Sequence, residues 1–346
     1  MARSACSLVA DIGGTNARFA IVGDDGLPRN IRTLPVARYA DPASACRAYL
    51  DAVGQPHLQG AALAVAGTVS GDRFKLTNAH WLFERRVLRH ALGVRDLLLL
   101  NDFTAIAWSL PTLRTTDGYQ LGGHAAVKRA PLAVLGPGTG LGVSGLVPAG
   151  DRWLAISGEG GHASFSPADG DDLALLNLLW RQHGHVSFER LLSGEGLVLL
   201  ANALAQQKGS VNFAAPADAA GITSAALRGE PWARETVLRF CALLGTAAGN
   251  FALTLGARGG VYLAGGIVPR FGFLLAQSKF RQRFEAKGRF APYLQQIPCF
   301  VITADQPGLR GAALALVSQR PVLAAWQQQR VQSSQPLQSS QPLQSS

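Results

Sequence analysis

The chain has 346 residues, of which 48% are apolar and 16% charged, and it carries a net charge of +10. That composition fits a soluble globular protein with a sizeable core, in one large domain or two ordinary ones. The basic residues are mostly Arg and thinly spread, without a Lys/Arg run or interleaved aromatics, which argues against nucleic acid and leaves small anions as the natural target of the charge.

The N-terminal apolar stretch is interrupted at Asp11 and the glycines that follow, so it does not read as a signal peptide. The segment "VADIGGTNARFAIV" (residues 9–22) reads as strand, turn, strand. Gly13 and Gly14 let the backbone turn tightly and approach a ligand, and successive N–H groups in such a turn form an anion nest. Thr15 and Asn16 add side-chain donors and Arg18 adds positive charge. Asp11 would repel a bare phosphate, so its place there makes sense with a divalent cation or its waters between them. The alternative is a hairpin whose Asp and Asn serve turn chemistry alone.

Next come a helix at "DPASACRAYLDAV", a strand at "GAALAVAG", a helix at "RRVLRHALG", a strand at "DLLLLN" and a helix at "FTAIAWSL". This alternation predicts α/β architecture around a largely parallel sheet. Asn101 and Asp102 fall at the C-terminal end of an apolar strand, where open α/β sheets bind ligands. Asp102 is either a helix cap or an ionised carboxylate that accepts a substrate hydroxyl and takes its proton late in the reaction. Residues 110–130 look loop-like and mark a domain junction.

A second βα region opens at "VLGPGTGLGVSGLV" (134–147), which repeats the strand, Gly/Thr turn, strand pattern of residues 9–22. Two related hairpins in two halves suggest one cleft gripped from both sides. Gly136, Gly138, Thr139 and Gly140 form the second candidate phosphate loop. The formal G-x-G-x-x-G at Gly140, Gly142 and Gly145 is followed by strand rather than helix, so it is not a dinucleotide fingerprint. A P-loop and the protein-kinase signatures are absent from the sequence as well.

"SGEGGHASF" presents Glu159 and His162 among glycines, and "HGHVSFERLLSGEG" places Glu189 after Ser187, the expected N-cap of the next helix. With Asn101 and Asp102 they form a donor and acceptor set suited to a polyhydroxylated ligand. "CALLGTAAGNFALTLG" (241–256) comes nearest to a membrane span, but Asn250 and its small residues suit a buried helix. "GGVYLAGGIVPRF" (259–271) breaks at Gly265 and Gly266 before an expected helix, a place for a nucleobase or ribose or else a plain turn. "GLRGAALALVSQ" reads as a helix that packs on either half, and the Gln/Ser/Pro/Leu repeat at the end reads as disordered. Cys6, Cys46, Cys241 and Cys299 show neither C-x-x-C nor His at metal-ligand spacing, which fits a reducing cytoplasm without zinc or disulfides.

Taken together, "DIGGTNAR", "LTNAHW", "LNDFTA", "GPGTGLG", "GEGGH", "HVSFERLLSGEG" and "LAGGIVPRF", in that order across residues 8–319, resemble the bacterial glucokinase family. The resemblance implies the two-domain actin-like ATPase (ribonuclease H-like) fold with a cleft between the domains. It implies a small domain at 1–111, completed by a C-terminal helix at about 306–322, a large domain at 112–305, and a tail at 328–346. By the same resemblance, ATP, Mg²⁺ and glucose meet in the cleft, and Asp102 is the catalytic base for the sugar 6-hydroxyl. Asn101, Glu159, His162 and Glu189 would hold the other hydroxyls. Asp11, Gly13, Gly14, Thr15 and Asn16, with Gly136, Gly138, Thr139 and Gly140, would hold the phosphates, Asp11 reaching Mg²⁺ through water. Gly265 and Gly266 would border the adenosine, while Asn78 and Trp81 would support the sugar pocket. A cytoplasmic homodimer without membrane or nucleic-acid partners is expected. "GEGGHASFSPADGDD" lacks the Cys-rich zinc motif of the related repressor and sugar-kinase group, which favours the glucokinase branch. The rivals are a kinase for another hexose or amino sugar and a non-catalytic sugar sensor. The sensor would be expected to carry a helix-turn-helix before the first strand, for which fewer than ten residues leave no room, so the remaining form of that rival is a regulator lacking its own DNA-binding domain.

Overall fold

The computed structural model describes residues 6–319 except 24, 68–70, 77–79, 211, 212, 214 and 217. Asn78 and the repeat tail therefore lie outside the described residues.

The first sheet contains β1 (Cys6–Ile12), β2 (Asn16–Val22), β3 (Pro28–Pro35), β4 (Leu58–Val65) and β7 (Asp96–Asn101), in the order β3-β2-β1-β4-β7. A small two-stranded ribbon, β5 (Arg73–Lys75) with β6 (Leu82–Glu84), stands beside it. The second sheet runs β11-β10-β9-β12-β13-β8, from β8 (Gly118–Gln120), β9 (Leu132–Pro137), β10 (Leu141–Ala149), β11 (Arg152–Gly158), β12 (Gly260–Leu263) and β13 (Cys299–Ile302). The two sheets share one pattern. Each has an antiparallel hairpin, β1/β2 or β9/β10, extended by an antiparallel third strand and flanked on its other side by two parallel strands.

Helices α1 (Pro42–Ala52) and α2 (Arg85–Leu92) follow the first crossovers. Asp41 and Ser44 form a capping box at the start of α1, and Gly93 ends α2 in the left-handed conformation, where a side chain is strained. The alternation of side chains along the parallel strands sorts them into two cores. Leu8, Ala10, Ile12, Leu63, Leu97 and Leu99 face one, together with Tyr49 and Trp81. Trp81 is fully buried and donates its indole N–H to Tyr39 O at 2.8 Å, which makes it a core residue of this half.

Val9, Ala62, Ala64, Leu98 and Leu100 face the opposite way, toward the second sheet's Leu132, Val134 and Leu146. Two helices fill this middle layer: α3 (Asp102–Ser109), and the C-terminal helix at 307–319, through Leu309, Ala312, Ala313 and Leu316. The fit is close, since a Cβ on Gly311 would overlap Ala105 O of α3. The Phe103 ring lies against β9 and β10, where a Cβ on Gly142 would overlap it and one on Gly136 would come within 2.8 Å of it.

Beyond the second sheet lies the largest core, built with α4 (Gly170–Trp180), α5 (Phe188–Leu191), α6 (Gly194–Gln207), α7 (Ala219–Leu227), α8 (Pro231–Leu255), α9 (Phe273–Gln277), α10 (Phe280–Glu285) and α11 (Ala291–Gln296). By length and composition α8 could cross a membrane, yet 72% of its most apolar window is buried within the fold. It is the central helix of this core, as Asn250 and the small residues led us to expect.

Residues 110–130 are more ordered than their loop-like sequence implies, holding two 3-10 turns and edge strand β8. The exposed, Arg-rich β3 carries too little apolar alternation to be read as a strand. After Gly265 and Gly266 the chain enters a 3-10 turn, Val268–Phe271, before the short α9.

Overpacking a filled core costs about 1–3 kcal/mol, so Gly142→Ala should lower the urea unfolding midpoint by a corresponding amount. Combining it with Phe103→Leu should cost less than the sum of the two single changes. Strict additivity in the same titration would show that the ring and the glycine do not constrain each other.

Candidate active site

Most of the candidate residues sit at strand ends and in the hairpin turns. β7 ends at Asn101, whose side chain accepts hydrogen bonds from Phe103 N–H (2.9 Å) and Thr104 N–H (3.2 Å), capping α3. Its amide nitrogen donates to Gly67 O at 3.2 Å. The cap is therefore Asn101 rather than Asp102, which is the first residue of the helix. That arrangement leaves Asp102 largely free of capping duty, although its Oδ1 also accepts from Phe103 N–H at 2.9 Å.

Burial pushes the Asp102 carboxyl from 3.8 up to about 6, and the negative charges of Asp11 and Glu159 add to the rise. The helix N-terminus pulls the other way but does not win. A carboxyl titrating near 6 is still mostly ionised at neutral pH, in line with the sequence expectation, though it stands closer to its titration than an ordinary carboxylate. The same electrostatics place Asp11 and Glu159 each near Asp102.

Asp11 lies opposite Arg18 in the β1/β2 ladder, with the guanidinium 4.0 Å from its Oδ2. Burial raises its pKa and Arg18 opposes the rise. The turn between β1 and β2 closes through Gly13 N–H to Asn16 O (3.0 Å). Thr15 is exposed and its carbonyl accepts from Val36 N–H (2.9 Å). Asp11 and Arg18 also line a cavity of about 420 Å³ with Gly265, Thr303, Asp305 and Gly308. Gly265 has φ +84, and a Cβ there would overlap Pro137 O, so this glycine is demanded by backbone shape and by close approach to β9. Gly266 has open space around it.

The second hairpin turns through Gly138, Thr139 and Gly140, closed by Gly138 N–H to Gly140 O at 2.8 Å. Thr139 is exposed and a Cβ on Gly138 would meet nothing within 4 Å. Gly136 differs from them. It is buried within β9 opposite Gly142, and the space for its Cβ is taken by Ala264 and Phe103. Its lack of a side chain answers to packing, so the open turn comprises 138–140 alone.

β11 delivers Glu159, which precedes a 3-10 turn, Gly160–His162. Thr104 Oγ1 and Ser157 Oγ lie 3.0 Å apart and tie α3 to the end of this strand. Ser187 caps α5 by accepting from Arg190 N–H (3.1 Å), as its sequence context implies, and Glu189 follows in the first turn. Glu189 Oε1 is 3.7 Å from His162 Nδ1, and its Oε2 accepts from Leu141 N–H at 2.8 Å. The link from Glu189 to the glycine hairpin is absent from the sequence reading, because 48 residues separate the partners. Among the described residues no group of three His, Cys, Asp or Glu could hold a metal ion directly.

The glucokinase family model matches residues 8–319. Glucokinase from Chromobacterium violaceum is 49% identical over 312 residues, covering 89% of this chain and 88% of the relative. The bifunctional protein glk of Paraburkholderia xenovorans is 46% identical over 90% of this chain but only 49% of its own length. The chain thus spans about half the length of the bifunctional relatives it matches. A solved glucokinase from an Antarctic psychrotroph superposes with a TM-score of 0.82 at 37% identity, covering 90% of this chain and 98% of that one. The two sheets, built on one pattern, are those of the actin-like ATPase and sugar-kinase fold.

A carboxyl whose native pKa exceeds its unfolded value destabilises the fold once ionised, so stability is lost as pH rises from about 4 to about 6. Asp102→Asn should accordingly melt higher than the parent at pH 7–8, with the gap closing as pH falls toward 4. A gap independent of pH in thermal melts would contradict the raised pKa.

Proposed function

This chain belongs to the glucokinase family, and from that premise we propose that it transfers the γ-phosphoryl group of ATP to the 6-hydroxyl of glucose. The observation that carries this reading is Asp102, a carboxylate at the cleft titrating near 6, on a helix whose cap is supplied by another residue. At pH 7 such a group is roughly nine-tenths deprotonated, and so able to accept a proton. The sugar O6 forms its bond to the γ-phosphorus, the bond from that phosphorus to the ADP oxygen breaks, and the O6 proton passes to Asp102. Phosphoryl transfer of this kind asks mainly for positioning and charge stabilisation.

Asn101, Glu159, His162 and Glu189 take the remaining sugar hydroxyls in this reading. Glu189 and the exposed His162 already stand side by side, which supports a shared ligand. The turns at 13–16 and 138–140 take the phosphates through backbone N–H groups, as glycine-rich nests do. The adenosine enters the cavity beside Gly265 and Gly266, which is lined by both lobes. Asp11 fits a Mg²⁺ held through water, since it is a half-buried carboxylate facing that cavity, with the Arg18 guanidinium 4.0 Å away as its cationic neighbour among the described residues. The ion would supply charge neutralisation at the phosphates.

We assign residues 6–111 with 307–319 to a small domain and 112–305 to a large one, a division supported by the separate cores on the outer side of each sheet, while a middle layer is shared between them. Closing the lobes on the sugar would exclude water, the competing acceptor. The described cysteines are buried free thiols, in keeping with a reducing cytoplasm.

The test is ADP release with MgATP across glucose, fructose, mannose and N-acetylglucosamine, against a blank without sugar. Glucose should give the strongest turnover, and preference for another sugar would overturn the substrate while leaving the base in place. Asp102→Asn should reduce kcat by roughly 10²–10⁴-fold, the span of general-base contributions. With the parent protein, kcat/KM should fall on the acid side with an apparent pKa of about 6. A folded Asp102→Asn enzyme of near-parental activity would remove the assigned base.

A further inference from the structure

We propose that Glu189 is a positioning residue for the nucleotide as well as a sugar contact, its two carboxylate oxygens joining the sugar site to the glycine turn at 138–140. The inference rests on the proposed function and names a coupling within that site.

Each oxygen has its own direction. Oε2 accepts from Leu141 N–H at 2.8 Å, at the point where the glycine turn re-enters β10. The approach is so close that a Cβ on Gly140 would overlap the same oxygen. Oε1 points toward His162 Nδ1, 3.7 Å away, on the side assigned to the sugar. A carboxylate can accept on both oxygens at once, whereas an amide of the same shape accepts on only one.

The surroundings make this contact a mechanical link. The segment carrying His162 is bonded to the segment leading into α5, through Phe165 N–H to Val186 O (2.8 Å) and Phe188 N–H to Ala163 O (3.0 Å). Gly161 of that segment packs directly on Leu141 O, where a Cβ would overlap it. From the other side, Gly194 N–H donates to Gly138 O at 2.8 Å. Leu141 is therefore held at its N–H by Glu189 and pressed at its carbonyl by the sugar-side loop, while Gly138 is held by the start of α6. A sugar hydroxyl drawn to Oε1 fixes the carboxylate, and the fixed carboxylate fixes the turn whose N–H groups face the phosphates. The sugar thereby prepares the turn for ATP.

Binding of a non-hydrolysable ATP analogue to the full chain, titrated with and without saturating glucose, measures this directly. In the parent, glucose should tighten the analogue by a factor within the roughly 5–150-fold range of ordinary site-to-site coupling. In Glu189→Gln, titrated again at a sugar concentration that saturates the variant, that factor should fall close to one, while affinity without sugar changes by less than about twofold. Gly140→Ala approaches from the nucleotide side: by displacing Oε2 it should weaken glucose binding about tenfold with no nucleotide present. It also decides the matter if Glu189→Gln cannot be saturated with sugar. Parental coupling in saturated Glu189→Gln, or parental glucose affinity in Gly140→Ala, overturns the link. A parent that turns over glucose yet binds the analogue equally with and without it also overturns the link and leaves the kinase reading intact. A parent without sugar-dependent turnover fails that reading instead, and the inference falls with it.

Discussion

The Phe103 ring, seated on Gly142 and edged against Gly136, is the contact on which the arrangement of the site depends. α3 starts at the end of a first-sheet strand, yet its second residue is locked into the second sheet. The neighbouring Thr104–Ser157 hydrogen bond repeats the attachment one residue further on. Asp102 thus cannot drift relative to β9 and β10, the strands that present the glycine turn. In the proposed reaction such a tether matters, because a misplacement of about an ångström can cost two orders of magnitude in rate.

That tether also accounts for the composition of "GPGTGLG". A Gly-rich hairpin invites the single explanation of backbone approach to phosphate. Here the glycines divide by where a Cβ would point. Gly136 and Gly142 lie on the middle-layer face and make room for Phe103. Gly140 makes room for the Glu189 carboxylate, and only Gly138 opens on free space. Three neighbours of different kinds, a ring, a carboxylate and open space, are served by one short motif. Packing and binding are not alternatives at this hairpin, since the packed glycines set the position of the open one.

Much of this was legible in the sequence because it is local. The strand and helix alternation, the matching hairpins at 9–22 and 134–147, Ser187 as a cap and Asn101–Asp102 at a strand end all follow from residues within a turn of each other. What escaped the sequence reading is set by partners far along the chain. Asn101 and Asp102 carry equally good capping side chains, and only the three-dimensional ladder, with Asn101 beside Val65 and bonded to Gly67 O, shows which one caps. How far the Asp102 pKa rises was not legible for a similar reason, since a helix N-terminus is visible in sequence and burial in a middle layer is not. β3 escaped because an edge strand exposed on its outer side has no apolar period to display. Glu189 was placed with the sugar from its motif, but its second attachment, to Leu141, needs the fold.

The middle layer finally explains why a destabilising carboxylate is tolerated. Asp102 is half-buried against two like charges, a situation that penalises its ionised form. The fold offsets this cost elsewhere. Asn101 satisfies the helix N-terminus, the C-terminal helix at 307–319 fills the space behind α3 with Leu309, Ala312 and Ala313, and Phe103 fixes the front. A carboxylate left to relax would turn outward and return to its ordinary acidity. Held from these sides, it keeps a pKa close to the ambient pH, as the base role proposed for it requires.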